Sequence, residues 1–371
     1  MAAARFRYGL QHLKPPSDLH ITGPAEIVLP CADLPAALAF YVDRLGFRID
    51  VIFPAEEPTI ASLSGHGLRL RLAPVAGDPG VIRLACDGSG AGEVLIAPNG
   101  TRIELVDADP PVEAPAFQSE FVLTRAAEGP QPGEGRAGMI YRDLIPSRLG
   151  GAVVASHITI PDGGPVADWV HFHKVAFQMI FCRKGWVRLV YEDQGEPFIL
   201  SVGDCVLQPP RIRHRVLESS EGLEVIELGC PALHETLADH DMALPTGRLD
   251  PGRDFGGQVF LRHIAAQTPW AANGEGFERR DTGMIQATRG LADVAVLRPA
   301  GADRLACAAH QNDLLFGFVL DGAAVLERQG DHALASTDAF VIPPGENWAL
   351  RDCSADLALL QVVLPGRGAG R

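Results

Sequence analysis

The sequence predicts a mainly β protein in which a small α+β module precedes two tandem all-β units. Three observations carry this. The 371 residues include 40 glycines and 29 prolines, dispersed without period, as short strands joined by turns require. Helical apolar spacing shows at Asp33–Leu45 (Leu34, Leu38, Tyr41, Val42, Leu45), whereas alternating strands and turns dominate from Met139 onward. That later region also repeats itself at an offset of about 137 residues, because Phe181-Cys-Arg-Lys-Gly185 overlays Phe318-Val-Leu-Asp-Gly322. Likewise Gly203-Asp-Cys-Val-Leu-Gln-Pro-Pro210 overlays Thr337-Asp-Ala-Phe-Val-Ile-Pro-Pro344.

In chain order, an apolar strand at Glu26–Pro30 leads into the helix, which Asp33 caps and Gly46 ends. Short strands follow at Gly67–Leu72, Val81–Cys86, Val94–Ala97 and Thr101–Val106. The turn Ala97-Pro-Asn-Gly100 is a hairpin signal between the last two. Two Pro/Gly-rich stretches without periodicity, Asp109–Ala116 and Glu128–Gly138, mark a linker. The expected division is a module at 1–118, a linker at 119–138, and β units at 139–250 and 251–371.

Hydrophobic residues (47%) and charged residues (21%) stand near globular averages, which excludes wholesale disorder. A net charge of −14 disfavours phosphate backbones and anionic lipid, so neither nucleic acid nor membrane is expected as a partner. Seven scattered cysteines without a C-x-x-C argue against a zinc knuckle or a disulfide framework and fit a reducing compartment. With no apolar run of spanning length and no signal-like core in MAAARFRYGLQHLKPP, a soluble, cytoplasmic protein is expected.

The chemistry concentrates in the first β unit. His171-Phe-His173 sets two imidazoles on one face of a strand, Gln178 follows, and His214 comes after the rigid Pro209-Pro210 pair. Three such imidazoles can converge on one metal inside a barrel. The bland alternative is a satisfied core cluster. Parity places Trp169 on the histidines' face, Ile180 and Cys182 on that of Gln178, and Ile212 and Val216 beside His214, giving an apolar pocket. Cys182 reads as a small buried thiol. Arg211, Arg213 and Arg215 alternate away from His214 and read as mostly solvated, with Arg211 placed to reach an anion. His234-Glu-Thr236 and Asp239-His-Asp241 suggest a second metal by composition, but in an irregular connection they read rather as solvated or interdomain hydrogen-bonding residues.

These residues resemble the two motifs of the cupin superfamily. His171-x-His173-x4-Gln178-x6-Gly185 is similar to the first, with Gly164 one residue early and Gln178 where the family has Glu. Gly203-x5-Pro209-x-Arg211-x2-His214 is similar to the second, with Arg211 replacing a Gly and Glu218 an Asn. The resemblance implies two jelly-roll cupin barrels in tandem, a bicupin. It implies one divalent metal held by His171, His173 and His214, with Gln178 as a ligand or as a hydrogen-bond partner of bound water or substrate. In the second repeat the aligned positions are Ala308, His310, Leu315 and Trp348, so that barrel reads as metal-free and degenerate.

Within the N-terminal region, Glu26-Ile-Val-Leu-Pro-Cys-Ala-Asp33 through Leu45-Gly46-Phe47, with Pro98-Asn-Gly-Thr-Arg-Ile-Glu104-Leu, resembles the glyoxalase/bleomycin-resistance/extradiol-dioxygenase (vicinal oxygen chelate) group. Glu26 and Glu104 match its first and last ligand positions, but Arg69 or Arg71 and Val81 fall at the others. A truncated, metal-free module is expected, used for packing, dimerisation or ligand recognition, which leaves a homodimer open. Glu26 and Glu104 then read as ion-pairing residues and His66 as a turn residue.

Cupins with such three-His sites are often dioxygenases, so the resemblance implies an Fe(II) enzyme, with Zn, Ni or Mn as alternatives. Because the ligands named are neutral, a small anionic chelating substrate is expected (enolate, carboxylate, catecholate or thiolate). The alternatives are a non-redox isomerase or lyase, with Tyr191 or Glu192 as the nearby base, and a non-catalytic ligand-binding or regulatory bicupin.

Overall fold

The computed structural model describes residues 20–128, 133–135, 138–274 and 276–366; residues 1–19, read above as lacking a leader, lie outside them. Contacts divide the chain after Pro111 into two compact units. No helix among the described residues is long and apolar enough to cross a membrane.

The smaller unit contains β1 (Ile27–Pro30), α1 (Leu34–Leu38), β2 (Arg48–Phe53), β3 (Ile60–Gly65) and β4 (Leu68–Ala73), paired in the order β1-β4-β3-β2. It continues with β5 (Val81–Cys86), β6 (Val94–Ile96) and β7 (Arg102–Asp107), ordered β5-β7-β6. Asp33 caps the helix as expected, its Oδ1 accepting from the Ala36 N–H at 3.0 Å. Beyond Leu38 the helix widens into a π turn, Ala39–Arg44, and Gly46 ends it at φ +74°. Leu34, Ala37 and Tyr41 pack with Leu63, Leu70 and Ile103 in the core. Glu26 pairs with Arg69 (3.0 Å) and Arg71 (3.7 Å), Glu104 with Arg102 (3.1 Å) and Arg83 (3.5 Å), and His66 sits in a turn at φ +52°. Sequence patterning missed β2 because it is an edge strand exposed along its whole length.

The larger unit begins with β8 (Val122–Thr124), β9 (Gly133–Glu134), β10 (Ile140–Asp143), β11 (Val154–Ile160), β12 (Gly164–Pro165) and β13 (His171–His173). It proceeds through β14 (Phe177–Lys184), β15 (Trp186–Tyr191), β16 (Phe198–Ser201), β17 (Cys205–Leu207), β18 (His214–Ser219), β19 (Leu223–Cys230) and β20 (Thr236–Ala238). A hairpin of β21 (Asp254–Phe255) and β22 (Gln258–Val259) leads to β23 (Leu261–His263), β24 (Ala271–Ala272), β25 (Phe277–Asp281) and β26 (Asp293–Pro299). The last strands are β27 (Leu305–Cys307), β28 (Leu314–Asp321), β29 (Ala323–Glu327), β30 (Asp331–Ala335), β31 (Ala339–Val341), β32 (Trp348–Arg351) and β33 (Ala358–Leu364).

Each repeat folds into two facing sheets, a jelly roll. The first pairs β23-β17-β14-β19-β11-β10-β9 against β16-β15-β18-β13-β20, with β12 on β18; the second pairs β24-β25-β26-β33-β28-β31-β8 against β27-β32-β29-β30. The two large sheets pack on each other. Phe177, Met179 and Phe181 of β14 share one core with Phe316 and Phe318 of β28, while Cys182 and Ile180 turn into the first barrel. Period-two alternation thus divides β14 between an inter-barrel core and a barrel interior.

Two expectations about boundaries need correction. The stretch 119–138 is not only linker: β8 within it pairs with β31 at the edge of the second barrel's sheet. Conversely β23, beyond the expected boundary at 250/251, pairs with β17 in the first barrel. The barrels exchange edge strands, which covers backbone groups that would otherwise lie open. Residues 129–132 and 136–137 of the expected linker lie outside the described ones.

Candidate metal centre in the first barrel

Register brings the three histidines together. His171 of β13 lies directly across from His214 of β18, and His214 in turn lies across from Tyr191 of β15. The ring centroids are 4.3 Å apart for His171–His214, 5.2 Å for His171–His173 and 5.3 Å for His173–His214. One ligating atom from each lies within 4.8 Å of the others. His171 and His214 are buried, and His173 is partly so.

The Nδ1 atoms are held from behind. His171 Nδ1 donates to the Trp169 carbonyl at 2.8 Å and His214 Nδ1 to the Ile212 carbonyl at 3.0 Å. His173 Nδ1 lies 2.9 Å from the Thr236 hydroxyl, which its cross-strand register supplies. A carbonyl only accepts, so in the neutral rings of His171 and His214 the proton stands on Nδ1 and the lone pair on Nε2, the atom that a metal takes. The buried Asp168 carboxylate lies 3.6 Å from His171 Nδ1 and accepts from the Val216 N–H at 2.9 Å, tying the segment before β13 to β18.

Gln178 lines the same cavity and is buried. Its Nε2 donates to Glu227 Oε1 at 2.8 Å, which fixes the amide's orientation and leaves Oε1 buried without a hydrogen-bond partner. Three anchored imidazoles and an orphaned amide oxygen fit a divalent ion. Imidazole nitrogen and carbonyl oxygen suit first-row metals, Fe, Zn, Ni and Mn among them.

Below the histidines lies a cavity of about 360 Å³ walled by Ile158, Ile160, Ile180, Leu189, Val216 and Val225 among others. Tyr191 is fully buried in its wall and its hydroxyl accepts from Gln208 Nε2 at 2.8 Å. Burial drives the phenol far above its ordinary pKa, and the Glu227 charge adds to this against the Gln208 bond. It stays a neutral phenol.

Several expected placements differ. Trp169 contributes its carbonyl rather than its ring, because β13 starts only at His171 and strand parity does not reach back. Ile212 is buried in the barrel's apolar cluster but sits in a turn, off the cavity wall. Cys182 is the small buried thiol expected, but it packs in the core off the cavity wall, and burial with Asp204 nearby pushes its thiol up to about 12, so it stays protonated. Glu192, proposed as a base, points away from the cavity: it accepts from Arg253 Nη1 at 2.7 Å and from the Arg213 N–H at 3.2 Å. Arg211 does not line the cavity either. Its φ of +64° explains the glycine of the motif at this position, and its N–H donates to the His173 carbonyl at 3.0 Å. Arg213 is not simply solvated, since it pairs with Asp239 at 3.1 Å and covers the Phe172 ring at 4.3 Å.

Sequence reasoning missed Glu227, Thr236 and His234, all on the cavity wall. Glu227 was findable. In the apolar run of β19 it is out of phase with Ile226 and Leu228, which face the inter-barrel core, so it must face the barrel interior. Thr236 and His234 were taken for an irregular connection, yet β20 pairs with β13 and the His234 ring lies 5.5 Å from that of His173. Glu227 also corrects the picture of a wholly neutral site.

Among the described residues the second barrel holds no comparable site. Leu315 and Trp348 are core residues there. His310 accepts from the Asn312 N–H at 3.1 Å through Nδ1 and donates to the Ile342 carbonyl at 3.0 Å through Nε2, so the backbone occupies both nitrogens.

Comparison with known proteins agrees with this geometry. The cupin-domain family model matches residues 156–228. No curated protein matches the chain. Among solved structures, oxalate decarboxylase from Bacillus subtilis superposes with a TM-score of 0.50 at 11% identity, over 69% of this chain and 78% of that one. The protein Ylba from E. coli superposes at 0.50 and 12% identity, over 70% of this chain and 97% of that one. The segment that carries the three histidines is therefore a cupin domain, set in a chain with the fold of a bicupin.

Proposed function

We propose that the first barrel binds one divalent metal ion through Nε2 of His171, His173 and His214, with Gln178 Oε1 as a further donor, and that the protein is a cupin-type metal enzyme. The observation that carries this is the convergence of the three histidines, one ligating atom of each within 4.8 Å of the others, with the carbonyl bonds behind His171 and His214 placing the lone pair of both rings on Nε2. A core cluster of histidines has no need of that arrangement. When bound, the ion supplies a Lewis acid and, as Fe(II), a redox centre for dioxygen, and we read the enzyme as an Fe(II) dioxygenase.

This chain's residues then set the substrate. The apolar walls hold a hydrocarbon or aryl body away from water. Glu227 already places one carboxylate in the cavity, which favours a substrate with a singly charged chelating head, an enolate or a monocarboxylate, over a compact dianion. Glu227 also favours one second reading, a non-redox isomerase or lyase. It offers a carboxylate to hold a proton where Tyr191, a neutral phenol, does not. For the smaller unit, we read a metal-free module of the vicinal-oxygen-chelate type, supported by its β1-β4-β3-β2 order and by the Arg69–Glu26 pair at an expected ligand position.

Oxygen uptake by anaerobically purified, metal-analysed protein against diketones, catechols, α-hydroxy ketones and thiols tests this. Iron with oxygen uptake supports the dioxygenase. Turnover without oxygen supports the second reading, and a metal-free, inactive protein contradicts both.

A further inference from the structure

Where the two barrels meet, the β16–β17 turn (Val202, Gly203) faces β25 and β26 across a cleft of about 380 Å³. Three arginines line it, in a chain of net charge −14. Two of them are committed to protein partners. Arg183 donates from Nε and Nη2 to the Leu320 carbonyl (3.2 and 3.1 Å), from Nη2 to Ser336 Oγ (2.8 Å), and from Nη1 to Glu224. Arg298 donates from Nε and Nη2 to Glu278 Oε2 at 2.9 and 2.7 Å.

Arg280 is different. Its backbone pairs with β26, but among the described residues its guanidinium has neither a hydrogen bond nor an ion pair, and its Nε is sealed from solvent. Its guanidinium carbon lies 4.3 Å from the Trp270 ring centroid, and that of Arg298 lies 4.0 Å from it. Stacking on the indole satisfies the flat face of a guanidinium but not the donors along its edge. Burial, and then the neighbouring Arg298 charge, hold the Arg280 pKa below its ordinary value.

We infer that this cleft binds a small organic monocarboxylate on the edge of Arg280. A carboxylate matches the planar donor fork and supplies the missing charge. Val202, Val296, Leu320 and Leu357 give the cleft apolar walls for the ligand's body. Asp321 and Asp356, exposed at the rim, disfavour a second negative charge and so select against phosphate. Junctions between domains are common places for such sites. The inference is independent of the metal centre.

The test is calorimetric titration of the full chain at fixed ionic strength with benzoate, acetate and inorganic phosphate. Benzoate should bind the wild type more tightly than the other two, and Arg280→Gln should weaken it about tenfold. Val202→Trp, which fills the cleft from an exposed turn without removing a charge, should do the same. Because benzoate could also meet a metal, a His171→Ala/His214→Ala variant is the control and should bind it within about twofold of the wild type. The inference is overturned by no benzoate binding to the wild type, by equal binding to Arg280→Gln, by its loss in the histidine variant, or by phosphate binding more tightly.

Discussion

Gln178 of β14 and Glu227 of β19 share a hydrogen bond of 2.8 Å from amide to carboxylate. The cupin motif has a carboxylate at the position of Gln178; here a carboxylate stands on the adjacent strand and the amide points its buried oxygen elsewhere. The negative charge has not left the site but has moved one strand away.

Gln178→Glu is therefore not a simple restoration of the family motif. It replaces a donor by a second carboxyl facing Glu227, and the metal-free protein should lose about 1–3 kcal/mol at pH 7. The exchange Gln178→Glu/Glu227→Gln should recover most of this. Thermal unfolding of the apo forms decides it, and a single variant as stable as the wild type would refute the coupling.

Thr236 is exposed, and its hydroxyl holds His173 Nδ1. Thr236→Val should leave the fold intact yet weaken metal binding about tenfold, the usual scale for losing a bond behind a ligand. Competition against a chelator measures this. Unchanged affinity would show that His173 needs no anchor.

Stability should fall as pH drops through about 6.5. Burial lowers the pKa values of His157, His263 and His310 from the ordinary 6.5. As pH falls, the unfolded chain takes up these protons before the folded one does, so folding loses free energy until the lower folded values are passed. Carboxylates held low by arginines, such as Glu224 beside Arg183, add a further loss only at more acid pH. Urea midpoints between pH 8 and 5.5 check this; a flat profile would contradict it.

In the second barrel, a Cβ on Gly317 would meet the Phe340 ring at 2.3 Å inside a filled core. Gly317→Ala should cost about 1–3 kcal/mol of stability in denaturant unfolding, without touching metal content. An unaffected midpoint would mean that this core is looser than it looks.

The parts legible in the sequence were those fixed by period or by special backbone. The H-x-H pair and His214 converge because strand parity and cross-strand register are local rules. Asp33 and Gly46 bracket the helix because a cap and a left-handed stop have residue signatures. What escaped depends on pairing between distant segments. Neither the placement of β8 on the second barrel nor that of β20 against β13 leaves a periodic trace in three residues. Trp169 was misplaced because strand parity was carried past the start of β13, and Glu192, named for its nearness in sequence to the site, lies past the end of β15 and is held by Arg253. Glu227 was hidden in plain view, a single carboxylate in an apolar run.

The most direct test of the account is the metal content of protein purified anaerobically, compared with the His171→Ala/His214→Ala variant in the same preparation. The account predicts about one divalent ion per chain in the wild type and loss of nearly all of it in the variant. A wild type that takes up no metal, or a variant that keeps it, would contradict the metal centre.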